Sequence, residues 1–253
     1  MSGDREVAVK VSVFGPCRLA GPAGSEIDVT NRRARALLGM LALAPGAPLE
    51  RDHISRLLWP GRFEPQARAS LRQCLLELGR ILDPVRPGIL ESDRQRVALR
   101  AGGVQTDLSE LETALMAGRI DRACRLLSEI GRPLLDQIDL GSPFARWLAD
   151  QRHHIEGRLQ VAVERALAEL KRAGTGESYA QLDAAWRACR RSSVATTRGN
   201  IRIAVLSFEQ HDDVGRPLFL AEGVADELQA RLEAVDGIAV IGRTSVTTIA
   251  QPG

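Results

Sequence analysis

Apolar and polar positions first alternate, then recur at helical spacing. Val7 to Phe14 mixes β-branched residues in near-alternation and stops at Gly15-Pro16, the pattern of a strand and a turn. Cys17 to Leu19 and Ile27 to Val29 flank a Gly/Pro-rich turn and predict two further short strands. Thr30 or Asn31 then offers a helix cap, and Ala34, Leu37, Leu38, Leu41 and Ala42 fall on one face before Pro45-Gly46. A second helix fits Arg51 to Leu58, with Ile54, Leu57 and Leu58 inward and Trp59-Pro60-Gly61 as its stop. A third starts near Pro65, a residue suited to a first turn, and runs to about Leu82 with Leu71, Cys74, Leu75, Leu78 and Leu82 as its apolar stripe. Ile89 to Leu99 then places two β-like stretches around Asp93-Arg94-Gln95, a hairpin. Sheet, three helices and hairpin is the order of a winged helix-turn-helix.

From Thr106 to about Arg190 the period is helical, in segments such as Leu108–Ala117, Ile120–Ile130 and Phe144–Ala173. Amphipathic helices in pairs cannot bury their faces alone, so a stacked, TPR-like array is expected. Residues 191–200 are polar and rich in Ser and Thr, and read as a linker. Strands at Ile201–Phe208 and Ile238–Ile241 around a helix at Ala221–Leu232 form one βαβ unit, too little for a covered sheet, so 201–253 reads as the beginning of an α/β domain whose remainder is absent. The fold class expected is α+β, mainly helical, with domains at 1–103, 104–190 and 201–253.

Charge changes this picture only when divided along the chain. The net charge is +2, yet residues 1–103 hold 16 Lys and Arg against 11 Asp and Glu, while the remainder holds 18 against 21. A basic head precedes an acidic body. The basic residues are nearly all Arg, whose planar fork suits phosphates and base edges, although genomic base composition also favours Arg over Lys. With the third helix's leucines inward, Ala69, Gln73, Leu76 and Arg80 form a stripe on the far side, and Arg72 lies beside it. Gln pairs with adenine, Arg with guanine, and Ala or Leu meets a thymine methyl, the composition of a recognition face. A solvated face with one exposed leucine has the same composition. Arg94 and Arg96 at the hairpin, Arg62 and Arg68 around the start of the third helix, and Arg32, Arg33 and Arg35 in the first helix are candidate phosphate contacts, or members of a generic basic surface.

Catalytic chemistry finds little support, and the chain is expected to be no enzyme. Cys17, Cys74, Cys124 and Cys189 are far apart with no metal spacing, so buried reduced thiols and no metal or cofactor are expected. His153 and His154 are adjacent and point about 100° apart on a helix, unlike metal ligands at i, i+4. Phosphate-cradling glycine motifs and nucleophile elbows do not occur in the sequence. Absence of a signal-like or membrane-length apolar run predicts a cytoplasmic protein without membrane contact.

The residues Leu57-Leu58-Trp59-Pro60, Glu64 to Arg72 and Leu78 to Leu82 resemble the corresponding stretch of SARP-type transcriptional activators, whose DNA-binding domain is an OmpR-type winged helix. Thr106 to Glu112, Gly131 to Leu135 and Trp147 to Glu156 resemble the bacterial transcriptional activation domain that follows it there. Ile201–Phe208, Phe219–Leu228 and Val240–Ser245 resemble the start of a TolB-like segment. The resemblance implies a sequence-specific regulator, an activator that recruits RNA polymerase. It implies promoter DNA read as direct repeats by a homodimer on tandem sites, with Arg72, Gln73 and Arg80 in the major groove and Arg94 and Arg96 in the minor groove. It also implies polymerase contact from the loop holding Trp59, Pro60 and Gly61. The chain departs from the family in having Glu77 and Gly79 where basic residues are common. No receiver domain precedes the winged helix, so control by aspartyl phosphorylation is not expected. A protein- or effector-binding module, or the regulatory region of a cyclase-like protein, are the alternatives.

Overall fold

The computed structural model describes residues 9–198, 201–204, 227–228, 231 and 238–241. Its contacts form two compact units, Met1–Cys189 and Arg190–Gly253.

In the first unit, β1 (Val9–Ser12), β2 (Arg18–Ala20) and β3 (Glu26–Ile27) pair antiparallel, as the alternation predicts. Val9, Val11 and Leu19 turn inward while Lys10, Ser12 and Arg18 face solvent. A fourth strand, β7 (Val104–Thr106), which the residue pattern does not announce, joins β1 in parallel, with Val9 opposite Val104. The sheet order is β3-β2-β1-β7.

Helix α1 (Arg32–Ala42) starts where Asn31 accepts hydrogen bonds from the backbone N–H of Arg33 and Ala34, satisfying two orphan donors. From Ala36 to Ala42 every residue is buried, so α1 is the central helix of the unit. Helix α2 (Arg51–Leu58) ends at Trp59, and α3 (Glu64–Leu82) carries Pro65 in its first turn. Strands β5 (Leu90–Ser92) and β6 (Arg96–Leu99) form the expected hairpin, and β4 (Leu49–Glu50) extends it by pairing with β6.

The helical body consists of α4 (Asp107–Met116), α5 (Ile120–Glu129), α6 (Ser142–Ala173) and α7 (Gly176–Arg198). Thr106 opens α4 with a capping box: its hydroxyl accepts from Ser109 N–H, and Ser109 Oγ accepts from Thr106 N–H. Helix α7 continues to Arg198, through most of the Ser/Thr-rich stretch expected to be a linker. The propensity cost of Ser and Thr in a helix is a few tenths of a kcal/mol per residue, too small to end one by itself.

The body is joined to the N-terminal sheet and α1 by two devices. Asp107 accepts from the N–H groups of Val13 (3.0 and 3.1 Å) and Phe14 (3.1 Å), tying α4 to the end of β1. Burial outweighs those donors and pushes the Asp107 carboxyl above the usual carboxylate range. The connection from α5 to α6 runs back along the same strand, with Gly15 N–H donating to Pro133 O and Leu135 N–H to Val13 O. Leu135 and Gln137 adopt left-handed backbone (φ 47° and 64°), which side chains avoid unless the surroundings impose it. Leu135 is fully buried against Gly39 of α1, and Arg152 of α6 donates to the Leu134 carbonyl at 2.8 Å.

In the second unit, β8 (Ile201–Ala204) and β9 (Ile238–Ile241) pair in parallel, with Ile201 opposite Ile238. Glu227, Leu228 and Arg231 are helical, and the rest of the helix expected at Ala221–Leu232 lies outside the described residues, as does Val205–Phe208. No helix among the described residues is long and apolar enough to cross a membrane.

Candidate nucleic-acid interface

The inward leucines of α3 fix which residues it shows. Leu71, Cys74, Leu75, Leu78 and Leu82 are buried against the first unit's core, and Ala69, Arg72, Gln73, Leu76 and Arg80 are exposed. Leu76 is 52% exposed, an apolar group held in water in the middle of a polar stripe. Glu77, one of the departures from the usual basic end, accepts from Asn31 Nδ2 at 2.8 Å and so ties α3 to the start of α1. Gly79 meets no steric demand, since a Cβ there would touch nothing within 4 Å.

The hairpin is held rigid beside this helix. Asp93 Oδ1 accepts from the N–H of Gln95 and of Arg96, both at 2.7 Å, which closes the turn and keeps the Asp93 carboxyl below the usual range. Arg94 stands at the tip and Arg96 opens β6, both exposed. Arg51, first residue of α2, donates its backbone N–H to Gln95 O at 2.8 Å and its Nη2 to Ser92 Oγ at 2.6 Å. The hairpin is therefore pinned to the N-terminus of α2 as well as held by the pairing of its own two strands.

Between α2, α3 and the hairpin lies an open cleft of about 560 Å³. Arg51, Arg68, Arg72, Arg94 and Arg96 line it, against the carboxylates of Glu50 and Asp52. This excess of fixed positive charge in a concave surface focuses the field on an incoming anion. Arg51, Glu50 and Asp52 escape sequence reasoning because the first turn of a short helix carries no pattern of its own.

Other expected contacts are placed differently. Arg68 lies in the cleft, paired with Asp52 and Glu64. Arg62 donates to Ser70 Oγ at 2.8 Å. Arg33 turns back on its own unit, donating from Nε to Leu58 O at 2.9 Å with its guanidinium carbon 5.8 Å from the Trp59 ring centre. Arg32 reaches Asp139 O at 3.5 Å, and Arg35 reaches Thr30 O at 3.4 Å. Trp59 itself is only 6% exposed, so its indole belongs to the core, while Pro60 and Gly61 are exposed. The exposed aromatic of that loop is Phe63, at 80%. A second groove of about 520 Å³ lies there, lined by Trp59, Pro60, Gly61, Ala67 and Pro143 among others.

The chain matches no protein-family model and no curated protein. Among solved structures it is similar to Mycobacterium tuberculosis EmbR in complex with a low affinity phosphopeptide, at 20% identity and a TM-score of 0.45, over 96% of this chain and 69% of that one. A likeness that distant carries no statement about function, which rests on the geometry above.

The thiols add no chemistry to this surface. Cys17 and Cys74 are pushed up to about 12, chiefly by burial, and all four cysteines are free. No group of three or more His, Cys, Asp or Glu among the described residues could hold a metal ion.

Proposed function

We propose that this chain is a sequence-specific, DNA-binding transcription regulator of SARP type, whose N-terminal winged helix lays α3 in the major groove and the β5–β6 hairpin against the adjacent backbone. The observation that carries the reading is the cleft where Arg51 of α2, Arg72 of α3 and Arg94 and Arg96 of the hairpin converge beside an exposed Arg72-Gln73-Leu76-Arg80 stripe. Arginine contacts to phosphate supply affinity, and Gln73, Leu76 and Arg80 supply base readout. Pinning of the hairpin by Arg51 supports the reading, because a preorganised surface does not lose ordering entropy on binding.

Activation is the mode this reading favours. The loop after α2 offers Pro60, Gly61 and the exposed Phe63 to RNA polymerase, with Trp59 as its buried support. A TPR-like activation domain of α4 to α7, a homodimer on tandem sites, a cytoplasmic setting and the lack of catalysis complete the proposal. A protein-binding role for the helical body draws on one observation of its own, the groove of about 810 Å³ between α4 and α6 with Met116 (75%) and Val161 (66%) exposed in it.

The test is selection of binding sites from a random duplex pool, followed by footprinting. Wild type is expected to enrich a repeated motif, and Arg72→Ala/Arg80→Ala to lose it with an unchanged circular-dichroism melt. An unaltered footprint from the double variant would refute the assigned face.

A further inference from the structure

One arginine of the cleft is already occupied. Arg68 donates from Nε and Nη2 to the two carboxylate oxygens of Asp52 at 3.1 Å each, and its Nη2 also reaches Glu64 Oε1 at 2.5 Å. Two carboxylates on one guanidinium leave the trio with a local charge of −1; Asp52 and Arg68 line the same cleft as the exposed Arg72, Arg94 and Arg96, and Glu64 lines the groove beside Pro60 that Asp52 also lines. Asp52 comes from α2, Glu64 and Arg68 from α3, and all three side chains are more than half exposed (54%, 68% and 51%). Water reaches this cluster, so its bonds contribute little to stability and exchange readily. A phosphate presents the same pair of oxygens to a guanidinium fork as a carboxylate does.

From this geometry we propose that Asp52 and Glu64 are an anionic gate on Arg68, which withholds its guanidinium from loosely held polyanions and lowers sequence-independent attraction to nucleic acid. The inference rests on the DNA-binding reading and adds a determinant of selectivity to it. A backbone phosphate approaching Arg68 meets like charge from the two carboxylates that hold its guanidinium. Juxtaposed like charges of this kind reject wrong partners more than they weaken the right one, whose base contacts hold a phosphate in place. With the gate neutralised, Arg68 is free to take one more phosphate from any duplex.

The experiment compares the full chain with Asp52→Asn/Glu64→Gln and with Asp52→Asn/Glu64→Gln/Arg68→Ala. Two probes are used: a random-sequence duplex titrated over a range of salt, and a heparin column eluted with salt. The double variant is expected to bind the random duplex roughly tenfold more tightly at moderate salt, with a log–log salt slope steeper by about 0.9, the value for one added phosphate contact. It should also leave heparin at higher salt, and the triple variant, whose local charge lies between the two, should lose most of the gain in both assays. Asp52→Asn alone, which keeps the Glu64 partner, should give a smaller change of the same sign, and urea melts of each variant verify the fold. No gain in the double variant, or a gain that survives undiminished in the triple variant, overturns the gate. Failure of the DNA-binding reading is separate: no variant would then bind duplex, while heparin elution would still decide whether the carboxylates restrain Arg68.

Discussion

Two glycines in helix interiors respond to alanine in opposite directions. A Cβ on Gly39 of α1 would stand 2.5 Å from Leu135 Cδ2, 3.0 Å from Cδ1 and 3.3 Å from Cγ. Leu135 has nowhere to go, since it is fully buried and its N–H is bonded to Val13 O at 2.8 Å. A Cβ this close to a confined leucine puts the overpacking cost at the upper end of its usual range, about 2–3 kcal/mol, and the better helix propensity of alanine returns about 1 kcal/mol, so Gly39→Ala loses about 1–2 kcal/mol. Gly79 of α3 faces open space, so only the propensity term applies and Gly79→Ala gains about 0.5–1 kcal/mol. For a unit of this size about 1 kcal/mol moves the melting temperature by roughly 2–4 °C. Thermal melts by circular dichroism, backed by urea titrations, should place Gly39→Ala below wild type by roughly 2–8 °C and Gly79→Ala above it. An alanine at residue 39 that melts at or above wild type would refute the claim that the α5–α6 connection is wedged against α1.

Three more outcomes follow from burial and exposure elsewhere in the first unit. Because burial raises the folded pKa of Asp107, its contribution to stability is present below the unfolded pKa of about 3.9 and is lost as pH rises through the folded value. Urea melts between pH 4 and 7 should therefore show wild type losing ground to Asp107→Asn as pH increases; a gain over the variant would contradict the sign. A thiol reagent at pH 8 should label the half-buried Cys124 first and leave Cys17 and Cys74 unmodified in the native protein, and rapid loss of all four thiols would show that their burial is wrong. Phe63→Ala should spare duplex affinity and lower transcription from a target promoter, whereas equal affinity and equal transcription would remove that loop from the partner surface.

The three helices of the N-terminal region were legible within a residue or so because leucines at i, i+3, i+4 and i+7 face one core, and that period belongs to the local chain. Strands β4 and β7 were not, since two or three residues carry no alternation and owe their state to partners 48 and 95 residues away, Val97 opposite Leu49 and Val104 opposite Val9. Left-handed Leu135 escaped for the same reason: β1 and α1 impose it, and nothing beside it in the chain does. In the candidate site, periodicity alone identified the outward stripe of α3. It could not show that Asp52, 16 residues before Arg68, would hold that guanidinium, nor that the aromatic preceding Pro60 turns inward while Phe63 turns out.

The most direct trial of the central claim is the salt dependence of duplex binding by the intact chain. With several arginines meeting phosphates, log Kd for a random or selected duplex should weaken linearly with log salt at a slope of several units, lowered by about 0.9 for each of Arg72, Arg94 and Arg96 replaced by alanine. Absence of binding at the lowest salt, or a slope that these replacements leave untouched, would contradict the assignment of this cleft to DNA.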